Sequence, residues 1–215
     1  MSDDQLFLDR SRGPRTGVPE IVYGPGKSTA QVREAMRGLL AGGVSPVIAT
    51  RCSPDQIDAV RSMWPDVVVD GSTVVLNALS ASGRRVAVVT AGTADQLVAA
   101  EAAATLHAFG VSVERVNDVG IAGIHRLLDR ADDLRRVEAL VVIAGMEGAL
   151  PTAVAGLVDT PLVAVPTSTG YGSAFEGITA LAAMTASCAP GVSVVGIDNG
   201  VGAACVVVRW LRLGA

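Results

Sequence analysis

Aromatic side chains are scarce in this sequence, and their scarcity argues against one class of function. Phe, Trp and Tyr make up 3% of the 215 residues, whereas hydrophobic residues as a whole make up 50%. Proteins that bind single-stranded nucleic acid stack bases on aromatic side chains. The sequence also lacks a Lys/Arg run that would follow a phosphate backbone. We therefore expect no nucleic-acid partner, and a core built from aliphatic residues and alanine.

Cysteine pairs, a signal peptide and long apolar runs are missing as well. The three cysteines, Cys52, Cys188 and Cys205, form no CxxC motif and no Cys/His cluster of the kind that binds structural zinc. The N-terminal segment has no apolar stretch resembling a signal peptide. Gly, Pro, Ser or Asp interrupts each apolar run before it reaches membrane-spanning length. These absences predict a cytoplasmic protein with reduced thiols and no membrane contact.

The chain divides into two parts at "SASGRR", residues 80–85. The first part, residues 1–80, is predicted to be a small α/β domain that begins with an extended Arg-rich arm over 1–17. Helices are expected from about Ser28 to Leu40, with Ser28 or Thr29 as N-cap, and over 53–64, where Pro54 follows a Ser53 cap. The strands of this part are expected near "EIVY", over 46–51 and within 66–77.

The second part, residues 81–215, has a regular alternation of strands and helices. Near-continuous apolar runs predict five strands, over 85–92, 111–116, 139–146, 161–166 and 191–198. The main helices between and after them are predicted over Ala94–Phe109, Ala149–Val158, Gly172–Cys188 and Val201–Leu213. Strands this apolar are covered on both faces, which predicts a parallel sheet in a three-layer αβα domain. Ligands of such domains bind beyond the carboxyl ends of the strands.

The segments that follow these strands contain most of the glycines and reactive polar residues of this part. Their candidate binding residues are Thr93, Asp95, Asp118, Ser168, Gly170, Tyr171, Asp198 and Asn199. Hydroxyls spaced by glycines are typical of contacts to phosphate or ribose, although a flexible loop has the same composition. Glu147 is either solvated at the sheet edge or held in a cleft and suited to acid–base chemistry. His125 is either a proton carrier or a structural histidine.

Three basic residues bracket the turn "YGPGK" in the first part: Arg12, Arg15 and Lys27. The turn is not a Walker P-loop, because Ile21 stands where that motif requires its first glycine. A lysine at a helix start and two nearby arginines could still bind a phosphate group. Solvated surface charge explains the same residues equally simply.

Cys188 comes directly before the Gly-rich segment "APGVSVVGIDNGVGAA". A free cysteine is commonly a small apolar residue. A helix C-terminus does not activate a thiol, so a nucleophilic role would need a nearby cation or base. Local chemistry leaves both roles open.

Four long segments together resemble the LarB family, which acts in the biosynthesis of the nickel-pincer nucleotide cofactor. They are "LDRSRGPRTGVPEIVYGPGK", "NDVGIAGIHRLL", "VVIAGMEGALPTAVAGLVDTPLVAVPTSTGYG" and "SCAPGVSVVGIDNGVGA". The resemblance implies that the second part has a fold similar to aminoimidazole ribonucleotide carboxylase (PurE). It also implies that Cys188 is the nucleophile and Glu147 an active-site carboxylate, with His125 as the reserve candidate for the base.

The resemblance further implies a reaction. Nicotinic acid adenine dinucleotide and carbon dioxide would give pyridinium-3,5-biscarboxylic acid mononucleotide and AMP, with magnesium associated and with the chain forming a homo-oligomer. Two alternatives remain. One is a PurE-like aminoimidazole ribonucleotide carboxylase or mutase, which has no use for a cysteine nucleophile. The other is a nucleotide-binding module without turnover.

Overall fold

The computed structural model describes residues 6–213, which form two sheets joined by a shared helical layer. Nine helices are described: α1 Arg12–Thr16, α2 Thr29–Ala41, α3 Pro54–Met63, α4 Gln96–Ala108, α5 Ile124–Leu128, α6 Ala131–Leu134, α7 Leu150–Ala155, α8 Ile178–Thr185 and α9 Gly200–Leu213. The strands described are β1 Ile21–Tyr23, β2 Val47–Thr50, β3 Val68–Asp70, β4 Thr73–Leu76, β5 Arg85–Thr90, β6 Ser112–Val116, β7 Ala139–Ala144, β8 Leu162–Pro166 and β9 Val192–Val194. Short 3₁₀ turns lie at 93–95, 121–123 and 172–177.

The N-terminal sheet is mixed, with strand order β1-β2-β4-β3. β1 and β2 run parallel, whereas β4 is antiparallel to both β2 and β3. Ser28 and Ser53 cap α2 and α3 as predicted, and each forms a full capping box with the glutamine three residues later. α2 and α3 cover one face of this sheet and enclose a core that includes Met36 and Leu39.

The second sheet contains five parallel strands in the order β6-β5-β7-β8-β9. Alternate residues of its strands face two separate cores, because successive side chains of a strand point to opposite faces. α4 and α9 cover one face, and α5 to α8 cover the other. The predicted three-layer αβα architecture with a parallel sheet is confirmed.

α4 belongs to both halves of the molecule. Its inner face packs on the five-stranded sheet, while Ile48 and Val75 of the N-terminal sheet join the same hydrophobic core from the other side. The helix is therefore buried around most of its circumference, which suits its alanine-rich sequence. Gly200 lets α9 pack closely against α4, since a Cβ there would lie 2.5 Å from the carbonyl oxygen of Val98.

Two elements differ from the sequence-based expectations. The arm is not extended throughout, because Arg12–Thr16 forms α1; Arg15 donates to the carboxylate of Asp9 at 2.6 Å and holds this turn closed. Residues 1–5 lie outside the described residues. The helix predicted over Gly172–Cys188 is broken, because Phe175 and Glu176 adopt left-handed φ values of 46° and 50°. α8 starts only after this break and ends at Thr185, so Cys188 lies outside it.

Candidate active site

A cavity of about 380 Å³ opens at the carboxyl edge of the five-stranded sheet. Three loops supply most of its lining: 91–95 after β5, 118–122 after β6 and 144–150 after β7. Thr169, after β8, completes it. β5 lies between β6 and β7; the connection from β5 to β6 runs through α4 on one face of the sheet, and the connection from β6 to β7 runs through α5 and α6 on the other. The cavity thus occupies the switch point at which α/β sheets bind ligands.

Small residues bring the loops of this cavity into close contact. Gly145 has no room for a side chain, since a Cβ would meet the carbonyl of Thr169 and the hydroxyl of Thr167. The Met146 amide donates to the Thr169 carbonyl at 2.9 Å. The loops after β7 and β8 are therefore fixed to each other, and backbone groups are available to a ligand along the cavity wall.

Asp95 ties three parts of the site together and is 3% exposed. Its carboxylate accepts hydrogen bonds from the Thr167 hydroxyl at 2.8 Å and from the Gly92 amide at 2.9 Å. Burial raises the pKa of this carboxyl above its ordinary value, against the two hydrogen bonds, which lower it. Asp95 was expected to bind substrate; its contacts also make it the residue that holds the loops after β5 and β8 in register.

Replacing Asp95 by asparagine should change how stability depends on pH. Because its pKa is raised on folding, the folded state holds this proton more tightly than the unfolded state. The resulting stabilisation is present at low pH and is lost as pH rises from 3.8 through the folded-state pKa. The unfolding free energy of the wild type minus that of Asp95→Asn should therefore fall across this window and stay level above it.

Urea unfolding from about pH 3 to about pH 7 would measure that difference. Asp132→Asn is the matched control, because Asp132 is an 81% exposed aspartate that does not line the cavity. If the difference in unfolding free energy between the wild type and Asp95→Asn does not vary with pH, the raised pKa of Asp95 is contradicted.

Glu147, Thr93 and Asp118, three of the candidate residues, line the cavity. Glu147 is exposed and lies between Met146 and Gly148, both with positive φ, at 51° and 65°. Its carboxylate has no hydrogen-bond or ion-pair partner among residues 6–213. Asp118 pairs with Arg126, and its amide donates to the Thr90 hydroxyl at 3.2 Å. Glu147 is thus the carboxylate of this cavity that remains available to a ligand.

The other predicted residues lie around the cavity rather than in its lining. His125 is exposed on α5, beside the Arg126 that pairs with Asp118. Ser168 donates its amide to the Asp198 carboxylate at 2.9 Å. Gly170 packs against Met146, and Tyr171 is 81% exposed. Asn199 accepts from the Gly202 amide at 2.7 Å and so caps α9.

The predicted basic residues are not part of this cavity. Arg15 is engaged by Asp9, and Lys27 donates to the Tyr23 carbonyl at 2.9 Å. Arg12 lies at a second cavity beside α9. The structure does not bring these three side chains together as a single anion site.

Cys188 is exposed and does not line the cavity. α8 carries the chain from the carboxyl edge of the sheet back toward the start of β9, and Cys188 follows it. Its neighbour Ser187 shares a hydrogen bond of 2.8 Å with Thr152 of α7. Within one chain, therefore, Cys188 lies near the start of α7 but outside the lining of the cavity that contains Glu147.

The three thiols should differ sharply in reactivity. Burial raises the pKa of both Cys52 and Cys205 to about 11. At pH 8, each of these two cysteines is therefore a thiolate in about one molecule in a thousand. Cys188 is exposed. We expect iodoacetamide at this pH to modify Cys188 first, as peptide mass spectrometry would measure; equal labelling of Cys52 in folded protein would contradict this.

Sequence reasoning missed Arg51 and its partner Glu101, which support the site from a distance. Arg51, in the loop after β2, donates to the buried carboxylate of Glu101 at 2.9 Å and also to the carbonyl of Asp198. Asp198 in turn holds Ser168. Arg51 follows a strand in the other domain, so no local pattern linked it to this loop.

The sequence matches two family models in succession. Residues 4–78 match the LarB/PurE-like N-terminal domain, and residues 85–215 match AIR carboxylase. The chain belongs to the LarB family. Its second half is a PurE-like carboxylase domain.

Individual proteins match either nearly the whole chain or about 60% of it. An uncharacterized protein of Methanocaldococcus jannaschii is 39% identical over 213 residues, covering 94% of this chain and 82% of that protein. The N5-carboxyaminoimidazole ribonucleotide mutase of the same organism is 29% identical over 133 residues, covering 60% of this chain and 79% of the mutase. A crystal structure of a Treponema denticola PurE2 variant aligns with a TM-score of 0.50 at 20% identity, covering 60% of this chain and 81% of that one. This last likeness concerns the fold.

None of the helices within residues 6–213 is long and apolar enough to cross a membrane.

Proposed function

We propose that this LarB-family chain carboxylates the pyridinium ring of nicotinic acid adenine dinucleotide and cleaves its phosphoanhydride, giving AMP. The observation that carries the proposal is the LarB-type N-terminal domain joined to a carboxylase domain. The cavity of that domain supports it, because the cavity offers an unpaired carboxylate, Glu147, among close-packed small residues.

Carbon–carbon bond formation on a pyridinium requires the ring to become electron-rich first. The thiolate of Cys188 attacks a ring carbon and forms a C–S bond, which neutralises the ring and leaves an enamine. The neighbouring ring carbon then attacks carbon dioxide and forms the new C–C bond. Glu147 accepts the proton from that carbon, and expulsion of the thiolate restores the aromatic pyridinium. Water cleaves the anhydride to the mononucleotide and AMP.

Cys188 does not line the cavity that contains Glu147 in its own chain. A second copy of the chain could bring its Cys188 thiol to that cavity. We propose that the chain is a homo-oligomer in which Cys188 of one copy reaches the cavity of another. Exposed apolar side chains beside the cavity support this arrangement. They include Ile121, Met146, Tyr171, Phe175 and Ile178. A patch of this kind is typical of an interface.

Magnesium, which the resemblance implies, does not fit a site made by protein ligands alone. No cluster of three or more His, Cys, Asp or Glu side chains is found in the described part of the chain. No step above is therefore assigned to a metal ion.

The reaction is tested by incubating the purified protein with the dinucleotide and bicarbonate buffer, with and without magnesium, and identifying products by mass spectrometry. The expected products are AMP and a doubly carboxylated pyridinium mononucleotide. A parallel incubation with aminoimidazole ribonucleotide tests the PurE-like alternative. Carboxylation of that substrate, with the dinucleotide left intact, would overturn the proposal. Dinucleotide binding without AMP release would instead support a binding module.

A further inference from the structure

A second cavity, of about 410 Å³, lies between the N-terminal segment and α9, on the opposite face of the five-stranded sheet from α7 and α8. Its floor is apolar and is formed by Val18, Pro19, Ile21, Val201 and Cys205. The side chains of Arg12 and Arg209 border this floor, together with Thr16. The proposed reaction makes no use of this cavity.

Hydrogen bonds fix the wall of the cavity. Arg212 of α9 donates to the carbonyl of Gly17 at 2.6 Å and thereby fastens the end of α1 to α9. The Thr16 hydroxyl donates to the carbonyls of Arg12 and Val18, at 2.9 and 3.0 Å. Gly17 ends α1 with a left-handed φ of 80°. Arg12 therefore extends from α1, which is hydrogen-bonded to α9, and Arg209 extends from α9 itself.

Both arginines line the same cavity as Cys205, whose side chain is half-buried. Burial raises the pKa of Cys205, and the positive charges of Arg12 and Arg209 oppose this effect. Neither guanidinium has a hydrogen bond or ion pair to another residue within 6–213. Asp9, whose pKa the charge of Arg12 also lowers, already forms an ion pair with Arg15 at 2.6 Å. The cavity is thus bordered by two arginines that have no paired counter-charge among the described residues.

We infer that this cavity binds a nucleoside monophosphate group, with the phosphate between Arg12 and Arg209 and the base on the apolar floor. Arginine binds phosphate through two parallel hydrogen bonds. An apolar surface with a few convergent polar groups is the usual construction of a small-molecule site. The inference does not depend on the proposed reaction. Free AMP and the adenylate half of a dinucleotide both carry this group, and the labelling experiment below distinguishes them.

Isothermal titration of the full-length protein with AMP, adenosine and inorganic phosphate tests this site. AMP should bind more tightly than either fragment, and Arg12→Ala and Arg209→Ala should each weaken it about tenfold or more. Arg209→Lys should be intermediate, because it keeps the charge and loses the two-pronged contact. Arg61→Ala, an exposed arginine of α3, is the matched control and should bind AMP as the wild type does. Circular dichroism verifies that each variant is folded.

Alkylation of Cys205 shows whether AMP occupies this cavity rather than the one at Glu147. Bound AMP should slow the labelling of Cys205 in the wild type, as peptide mass spectrometry measures, and should fail to do so in Arg209→Ala. Parallel protection by the intact dinucleotide would assign the site to its adenylate half, whereas protection by AMP alone would make it a separate nucleotide site. Wild-type affinity in both arginine variants, or unchanged Cys205 labelling at saturating AMP, would overturn the inference. Product formation is measured separately, so either result stands apart from the proposed reaction.

Discussion

Replacing Cys188 by alanine is expected to abolish formation of the dicarboxylated mononucleotide, with a loss on the order of 10⁴-fold or more. Without the thiolate the pyridinium ring remains electron-poor and has no carbon that can attack carbon dioxide. Cys188→Ser should be almost as inactive, because an alkoxide is harder to form and a poorer leaving group than a thiolate. Thr185→Ala, an exposed position at the end of α8, is the control and should retain activity. Mass spectrometry of the products measures all three variants.

Mixing two inactive variants tests whether the site is shared between copies. If Cys188 of one copy serves Glu147 of another, co-expressed Cys188→Ala and Glu147→Gln chains should recover about a quarter of the wild-type activity in mixed oligomers, by random assortment. If both groups act within one chain, every site in the mixture lacks one of them and no activity returns. Full activity of Cys188→Ala alone would remove the covalent mechanism and favour the PurE-like alternative.

Replacing Arg51 by alanine should cause a large loss of stability. Arg51 neutralises Glu101, whose side chain is only 5% exposed, and also supports the Asp198 carbonyl. Removing one partner of a buried pair costs about 3–5 kcal/mol, because the other charge is left without compensation. Arg51 itself is 37% exposed, so water can replace part of its interaction. We expect the unfolding free energy to fall by about 2 kcal/mol, measured by urea denaturation.

The pair of Arg84 with Glu138 provides the control for this measurement. Its charges approach to 2.6 Å, but both side chains are more than a third exposed, at 38% and 37%. Exposed pairs contribute about 0–1 kcal/mol, so Arg84→Ala should have a small effect. Equal losses in the two variants would mean that Glu101 is not the reason for the effect of Arg51.

The sequence predicts the framework of the fold because the forces that form it are local or periodic. Apolar runs covered on both faces can only be central strands, and Ser28 and Ser53 satisfy helix amides three residues away. The break at Phe175 and Glu176 has no such signal. Residues with side chains rarely adopt a left-handed φ, and neither residue is of a type that marks such a position in a sequence.

The candidate site is predictable in position but not in detail. Thr93, Asp118 and Glu147 could be placed because parallel strands bring their following loops to one edge. Arg51 and Thr167 act through contacts with residues far along the chain, and Arg209 lies in the middle of an apolar helix. The break moves the start of α8 to Ile178, and the helix ends at Thr185, so Cys188 lies in the segment that follows it rather than in the predicted helix.

The position of α4 between two sheets determines how independent the carboxylase domain can be. A solitary domain of this fold would expose the outer side of α4 to water, and with it an alanine-rich surface and the carboxylate of Glu101 without Arg51. Cutting the chain near residue 80 would therefore leave a fragment prone to self-association. A graft of the N-terminal sheet onto a stand-alone carboxylase would require a matching redesign of that helix. The two halves thus share one hydrophobic core at α4, and a change of sequence on one side of that helix must be accommodated on the other.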